Sequence, residues 1–205
     1  MITILIRTSN RPKKFKRCID SVINQTYQDF KVIVCIDGDD YVGKHEKISK
    51  FKAPKHDRID YYWNLFCNDL KEKVGEGHLF FLDDDDILID NEVLFRLSQL
   101  LEDNKSYICR MKRKYDIFPT KNRFKNKTII RGNIGMPCII LHHTHKSICD
   151  FDNQKASDYR FIINLSESIT LEWINFILVD VQGEGRSRKE YQYNLLNLQL
   201  HKSYK

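Results

Sequence analysis

Four carboxylates in a row, Asp83, Asp84, Asp85 and Asp86, follow directly on the apolar run His78, Leu79, Phe80, Phe81 and Leu82. Packed together without counter-charge they would repel one another strongly, and a divalent cation relieves that repulsion. All-oxygen ligation suits magnesium or manganese, which would also bridge phosphate oxygens. The plainer alternative is a solvated acidic turn that caps the helix after it. A second acid, Asp37, ends the aliphatic run of residues 30–36, and Arg7 with Thr8 closes a third run that begins at Ile2. In an open parallel sheet, ligands collect at the carboxyl ends of the strands. Three neighbouring strands would therefore present these groups to a nucleotide lying across them. Taken singly, Asp37-Gly38-Asp39 reads as a turn and Thr8-Ser9-Asn10 as a helix cap.

The elements that must position these residues are legible from periodicity. Residues 2–6 are rich in branched aliphatics and stop at the polar segment Arg7 to Pro12, as a buried strand does on entering a loop. From Lys13, Phe15, Cys18, Ile19, Val22 and Ile23 recur at helical spacing, and Asn24-Gln25-Thr26 ends the pattern. Residues 30–36 form a nearly continuous aliphatic run, as expected of a central parallel strand, so the first 36 residues have the size of one βαβ unit. A weaker helix is expected over residues 41–51, a short strand over 58–63, and a short helix and loop over 64–77. The strand 78–82 follows, and then a loop and an amphipathic helix through Val93, Leu94, Leu97, Leu100 and Leu101. This alternation is that of an α/β fold with a Rossmann-like, mostly parallel central sheet flanked by helices. The second half is less regular: a basic stretch over residues 110–127, a strand over 137–141, a helix over 157–165 and a loop over 183–189. A terminal helix or loose tail is expected from Glu190 on.

The chain of 205 residues suits one domain with a sizeable core. Its 34 basic and 28 acidic residues leave a charge of +6, a modest excess that favours anionic ligands in general. Nucleic acid is not expected, because there is no zinc-finger spacing and the run Lys112, Arg113, Lys114 is too short for a binding module; it reads as a solvated face. A sugar nucleotide would use the same excess, as would an acidic membrane surface, which leaves peripheral membrane association open. Six cysteines are scattered singly without a CxxC pair, so buried free thiols in a reducing compartment are expected. No stretch is long and apolar enough to span a bilayer, and a soluble, cytoplasmic protein is the expectation.

The order Ile4-Leu5-Ile6-Arg7-Thr8-Ser9-Asn10-Arg11-Pro12, followed by Cys18-Ile19-Asp20-Ser21-Val22-Ile23-Asn24-Gln25-Thr26-Tyr27-Gln28-Asp29-Phe30, resembles the opening of family 2 glycosyltransferases with the GT-A fold. Residues 80–86 are similar to that family's DxD segment. Gly135-Met136-Pro137, Phe151-Asp152 and Ser157-Asp158-Tyr159 are similar to its acceptor-side region, so the likeness covers roughly residues 2–165. The resemblance implies a single GT-A domain over residues 1–205, with a nucleotide-sugar-binding half at 1–101 and an acceptor-binding half with the C-terminal tail at 102–205. It implies that Thr8 and Asp37 hold the nucleotide base, Asp84 the ribose, and Asp85 a Mn2+ or Mg2+ ion, with Asp83 as second contributor. The family inverts the anomeric centre, and the acid matching its general base is Asp158. The family's G-x-x-x-A-R-N helix is missing, and Lys71 or Lys73 is the candidate replacement for its basic residue. Arg7 stands where proline is commoner and Ser9 where tyrosine is.

The implied function is metal-dependent inverting transfer of a sugar from a nucleotide-diphosphate donor, a UDP-sugar in first place, to a hydroxyl of a glycan or glycoconjugate. The alternatives are a catalytically silent sugar-nucleotide or glycan-binding domain and a phosphatase of the haloacid dehalogenase type, whose DxD would be Asp37 and Asp39. A nucleotidyltransferase should open with a glycine-rich loop, and no glycine precedes Gly38. His142, His143 and His145 invite a metal reading, but strand alternation would put His142 on the opposite face from the other two, which favours a structural or acceptor-contacting role. Trp173, Arg186 and Arg188 fall in the region that shapes an acceptor pocket.

Overall fold

The computed structural model describes residues 1–39, 42–57 and 60–183. In chain order the elements are β1 (Ile2–Thr8), α1 (Pro12–Ile23), β2 (Phe30–Ile36), β3 (Ile48–Lys52), α2 (Leu65–Glu72), β4 (His78–Asp83) and β5 (Ile87–Leu88). They continue with α3 (Val93–Leu100), β6 (Ser106–Arg113), β7 (Asp116–Phe118), α4 (Lys121–Lys125), β8 (Ile139–His142), α5 (Ser157–Ser168) and β9 (Leu171–Val181). The strands form one sheet in the order β3-β2-β1-β4-β8-β6-β9-β5, with β7 paired to β6. β1 lies between β2 and β4 and is parallel to both, while β8 runs antiparallel to β4. Among the described residues no helix is long and apolar enough to cross a membrane.

The period-two alternation of β1 and β4 builds two cores. Ile2, Ile4 and Ile6 of β1, with Phe80 and Leu82 of β4, pack on the side of α1 and α3, against Phe15, Cys18, Val22, Leu94 and Leu97. Leu5, Leu79 and Phe81 face the other way, against Phe66 and Leu70 of α2 and Phe161 and Leu165 of α5. Both faces of the central strands are thus covered, which is why these strands read as continuous apolar runs. α1 begins with Pro12, whose fixed φ and missing N–H suit a first helical turn.

The polar residues that close α1 act as a clamp. The buried Gln25 donates to Ser21 O at 3.0 Å and to Asp90 O at 2.6 Å, and its Oε1 accepts from Leu94 N at 3.0 Å. Ser21 Oγ accepts from Leu88 N at 3.2 Å, and Thr26 N donates to Asn91 O at 2.8 Å. The end of α1 is thereby fastened to the chain that leaves the acidic turn, at β5 and just after it.

Three expectations need correction. Residues 48–52 are strand β3, not the end of a helix; this edge strand is half solvated and carries lysines, so it lacks the apolar run that marks a central strand. No strand forms over the described part of 58–63, where Tyr62–Asn64 is a 3-10 turn leading into α2. The strand expected over 137–141 begins only at Ile139, because Met136–Cys138 is a second 3-10 turn. β6 and β9, parallel neighbours in the second half, have no counterpart in the sequence expectations. The segment from Glu184 on lies outside the described residues.

At the opposite end of the sheet from the acidic turn, His78 of β4 pairs with His142 of β8, both buried, their rings 4.9 Å apart. His143 and His145 approach His142 at 4.5 and 6.0 Å. Here β8 has ended and a 3-10 turn begins at His143, so strand alternation does not govern these rings. Their bonds are structural: His78 Nε2 to Lys105 O, His142 Nδ1 to Thr144 Oγ1 and His145 Nδ1 to Ser106 Oγ, at 3.1, 2.8 and 2.9 Å. Burial, reinforced by the neighbouring imidazoles, pushes His142 from its ordinary 6.5 down to about 4, and burial also lowers His78 and His145.

Two outcomes follow from this packing. Gln25→Ala leaves Asp90 O and Leu94 N without their side-chain partner, and urea unfolding should show a loss of about 2–4 kcal/mol; an unchanged midpoint would contradict the clamp. The unfolded chain takes up protons on these histidines below about pH 6.5 while folded His142 stays neutral until about pH 4. Stability should therefore be full above pH 7 and fall between pH 6.5 and 4, by roughly 1–3 kcal/mol for His142. A His142→Gln variant should show a shallower acid loss over that window, and an identical slope would sink the assignment.

Candidate active site

Alternation along β1 and β4 decides which group meets which. Arg7 and Asp83 are register partners on adjacent parallel strands and point to the α2 side. Arg7 Nε and Nη2 donate to Asp83 Oδ1 at 3.3 and 3.2 Å, and Nη1 donates to Trp63 O at 2.8 Å and to Asn64 Oδ1 at 3.3 Å. One residue further along each strand the direction reverses, and Thr8 Oγ1 donates to Asp84 Oδ2 at 2.9 Å. Arg11, at the entry to α1, spans the next two acids, with Nη1 at 2.8 Å from Asp84 Oδ1 and Nη2 at 2.5 Å from Asp85 Oδ2. Arg17 Nη2 adds a bond of 2.9 Å to Asp85 O. The strand closes in a turn, Asp86 N to Asp83 O at 2.9 Å, and Asp86 Oδ1 accepts from Gln182 N at 3.0 Å, one residue past β9.

The four acids therefore differ. Asp84, Asp85 and Asp86 are buried, and Asp83 is partly open. Burial pushes Asp84 up to about 6 against the opposing pull of Arg11 and Thr8. Asp86 is pushed up to about 8, by burial first and then by its acidic neighbours. Arg7 and Arg11 are both held more firmly protonated than usual, because the acids outweigh the cost of burying them.

A cleft of about 360 Å3 opens over the carboxyl ends of β1, β2 and β4, lined by Arg7, Thr8, Arg11, Asp37 and Asp83 to Asp85 on the strand side. Tyr61, Tyr62 and Trp63 form its opposite wall. Asp37 is held there by Tyr62, whose hydroxyl donates to Oδ2 at 2.9 Å. The loops after β1 and β2 are locked together. Asn10 Oδ1 accepts from Asp39 N at 3.0 Å, and a Cβ on Gly38, at φ +134°, would meet Asn10 Oδ1 at 2.5 Å.

The three segments expected on the acceptor side also converge. Asp158 lies in the first turn of α5, where the helix dipole favours a negative charge, and its Oδ1 accepts from Tyr159 N at 2.9 Å. A Cβ on Gly135 would lie 3.3 Å from Asp158 Oδ2, so the Gly135-Met136-Pro137 segment runs directly against this carboxylate. Asp152 grips Arg160 through two bonds of 2.5 and 2.6 Å, and Phe151 stacks on Phe161 at 4.1 Å. Burial raises Asp158 above the ordinary carboxylate range, and Asp83, near enough to repel it, raises it further.

Neither lysine suggested as the basic residue of the cleft is there. Lys71 is 0% exposed and donates to Lys146 O, Cys149 O and Asp150 Oδ1 at 2.6, 2.7 and 2.6 Å. Lys73 lies over the Phe51 ring at 5.4 Å. Arg7, at the end of β1, and Arg11, at the entry to α1, supply the positive charge instead. Trp173 packs edge-on against Phe124 at 5.5 Å, while Arg186 and Arg188 lie outside the described residues. All six cysteines are free and five are buried, as expected.

Among the described residues no group of three or more His, Cys, Asp or Glu side chains is arranged to hold a metal ion, the histidines around His142 included. Asp83 and Asp85 nevertheless both line the cleft, and two hard carboxylates completed by phosphate oxygens and water are a donor set that suits Mg2+ or Mn2+.

Residues 3–65 match the family description Glycosyl transferase family 2. The chain is 24% identical over 193 residues to UDP-Glc:alpha-D-GlcNAc-diphosphoundecaprenol beta-1,3-glucosyltransferase WfgD of Escherichia coli, covering 85% of this chain and 73% of that protein. Its fold is similar to S. aureus TarS 1-349 in complex with UDP-GlcNAc, with a TM-score of 0.69 at 13% identity over 90% of this chain and 59% of that one. It is also similar to the mannosyltransferase PcManGT from Pyrobaculum calidifontis in complex with GDP-Man and Mn2+, with a TM-score of 0.64 at 13% identity over 93% and 59%. The chain thus spans about three-fifths of each of these two structures.

Proposed function

We propose that the chain is a family 2 glycosyltransferase of GT-A fold, and that it moves a sugar from a UDP-sugar to a hydroxyl of a glycan or glycolipid, with inversion at the anomeric carbon. The observation that carries this reading is the cleft itself, where Thr8, Asp37 and Asp84 meet over three parallel strand ends with Asp83 and Asp85 beside them. The favoured base follows from the relatives, since WfgD is described with UDP-Glc and TarS with UDP-GlcNAc. The WfgD acceptor, a GlcNAc-diphosphoundecaprenol, supports a glycolipid on the acceptor side. The fold likeness to transferases gives no support to a dehalogenase-type phosphatase. The acids that line the cleft, together with Asp158 at the start of α5, favour catalysis over a silent binding domain.

In this account Asp37, oriented by Tyr62, and Thr8 hold the base, and Asp84, fixed by Thr8 and Arg11, takes the ribose. Asp85 and Asp83 would hold Mg2+ or Mn2+, which when bound supplies charge stabilisation to the departing diphosphate. Arg7 and Arg11 keep the same acids compensated and add positive charge on the diphosphate side of the cleft. Asp158 takes the proton from the acceptor hydroxyl as that oxygen attacks the anomeric carbon. A carboxylate raised by burial is the stronger base, and so the better suited to this step near neutral pH.

The test is the rate of UDP release from UDP-glucose with a synthetic GlcNAc-diphospholipid acceptor. Asp158→Asn should lower kcat by about 10²–10⁴ with the KM for donor little changed. Asp85→Ala should lose turnover at every Mn2+ concentration tried. The acid limb of kcat/KM should lie above the ordinary carboxylate value and vanish with Asp158→Asn, because the base works only when deprotonated. Wild-type turnover in either variant, or an acid limb that survives in the Asp158 variant, would reject these roles.

A further inference from the structure

The positive charge of this chain is concentrated in one excursion. Residues 110–131 hold nine of the 34 basic residues and one of the 28 acidic ones, so the rest of the chain carries 25 basic against 27 acidic. The excess of +6 is therefore local. The excursion runs from the end of β6 through the β7 hairpin and α4 to a bridge between Arg131 and Ile134. It is tied to itself by Thr120 N to Asn133 Oδ1 at 3.1 Å and Arg110 Nε to Pro119 O at 3.1 Å. Lys112 is neutralised by Asp180 at 2.9 Å. Arg113, Lys114, Lys121, Lys125, Lys127 and Arg131 are exposed, and among the described residues no carboxylate pairs with them.

Apolar groups stand among these cations. Tyr115, beside the hairpin turn at Lys114, is 99% exposed, and Ile130 is 38% exposed. A ring with an apolar body and a polar tip, exposed in a segment rich in long cationic side chains, suits the headgroup region of a bilayer, where the ring enters the interface and the cations meet lipid phosphates. The segment leaves β6 near Asp158: the buried Met111, two residues before Arg113, lies 3.6 Å from the position a Cβ would take on Gly135, whose other neighbours there are Asp158 and Pro137.

We propose that residues 113–131 form a docking surface for an anionic membrane, with Tyr115 as its interfacial anchor. The proposal is independent of the sugar-transfer reading, because none of these residues lines the donor cleft. Charge complementarity decides the occupant, since six uncompensated cations on a chain whose other charges balance fit an extended anionic surface.

The full chain is sedimented with phosphatidylcholine vesicles and with vesicles of phosphatidylcholine and phosphatidylglycerol in a three-to-one ratio. Each cation near such a surface is worth roughly fivefold in partitioning, so the triple variant Lys114→Gln, Lys125→Gln, Lys127→Gln should bind the anionic vesicles about a hundredfold more weakly. Tyr115→Ser should weaken binding while leaving its salt dependence unchanged. Thermal unfolding and UDP binding, both expected at parent levels, separate loss of the surface from loss of the fold or the donor site. Equal partitioning to the two vesicle types, parent-level binding by the triple variant, or a preference for duplex DNA over the anionic vesicles would overturn the proposal.

Discussion

Four successive carboxylates at the end of a buried strand form an arrangement that repels itself, and the surrounding structure is organised around its compensation. Arg7 meets Asp83 across the β1–β4 register, Arg11 bridges Asp84 and Asp85, and the backbone of Gln182 satisfies Asp86. Three of the four acids are buried, so removing a counter-charge would leave an uncompensated charge in a low-dielectric site. The two arginines come from the end of β1 and the entry to α1, and Gln25 and Ser21, at the far end of α1, clamp the chain leaving the turn. One βαβ unit and its return strand thus hold both the charges and the loops that carry them.

The same arrangement divides the labour between the faces of the sheet. Thr8 and Asp84 turn to one side of β1 and β4, whereas Arg7 and Asp83 turn to the side of α2 and α5, where Asp158 starts its helix. Asp83 and Asp158 come within electrostatic reach of each other on that side of the sheet. Tyr62 contributes from a 3-10 turn by fixing Asp37, and the aromatic wall around it lies opposite the strand ends.

Much of this was legible in the residues. The aliphatic runs ending in Thr8, Asp37 and Asp83 mark parallel strands because both faces of those strands are buried, and the polar groups after them fall in one cleft. Edge strand β3 was not legible, since its half-solvated lysines carry no burial pattern. β6 was masked by its own basic end, where burial gives way to the hairpin from Arg110 onward. The basic residue of the cleft was sought on α2, yet Lys71 is consumed by three bonds to the loop after β8. Arg7 already stood among the strand-end groups, and its pairing with Asp83 comes from the register of β1 and β4, which sets a cation on one strand beside an acid on its neighbour. His142 and its neighbours could not be judged by strand alternation because the strand ends among them.

The most direct test of the central claim, that this acidic turn is a metal-assisted nucleotide-diphosphate site, is isothermal titration of UDP into the full chain with Mn2+ and with EDTA. The account predicts binding in Mn2+ that weakens by at least about tenfold, or roughly 1.4 kcal/mol, when the metal is chelated. Equal affinity in EDTA would show that the two arginines suffice without a cation, and no binding in either condition would contradict the site itself.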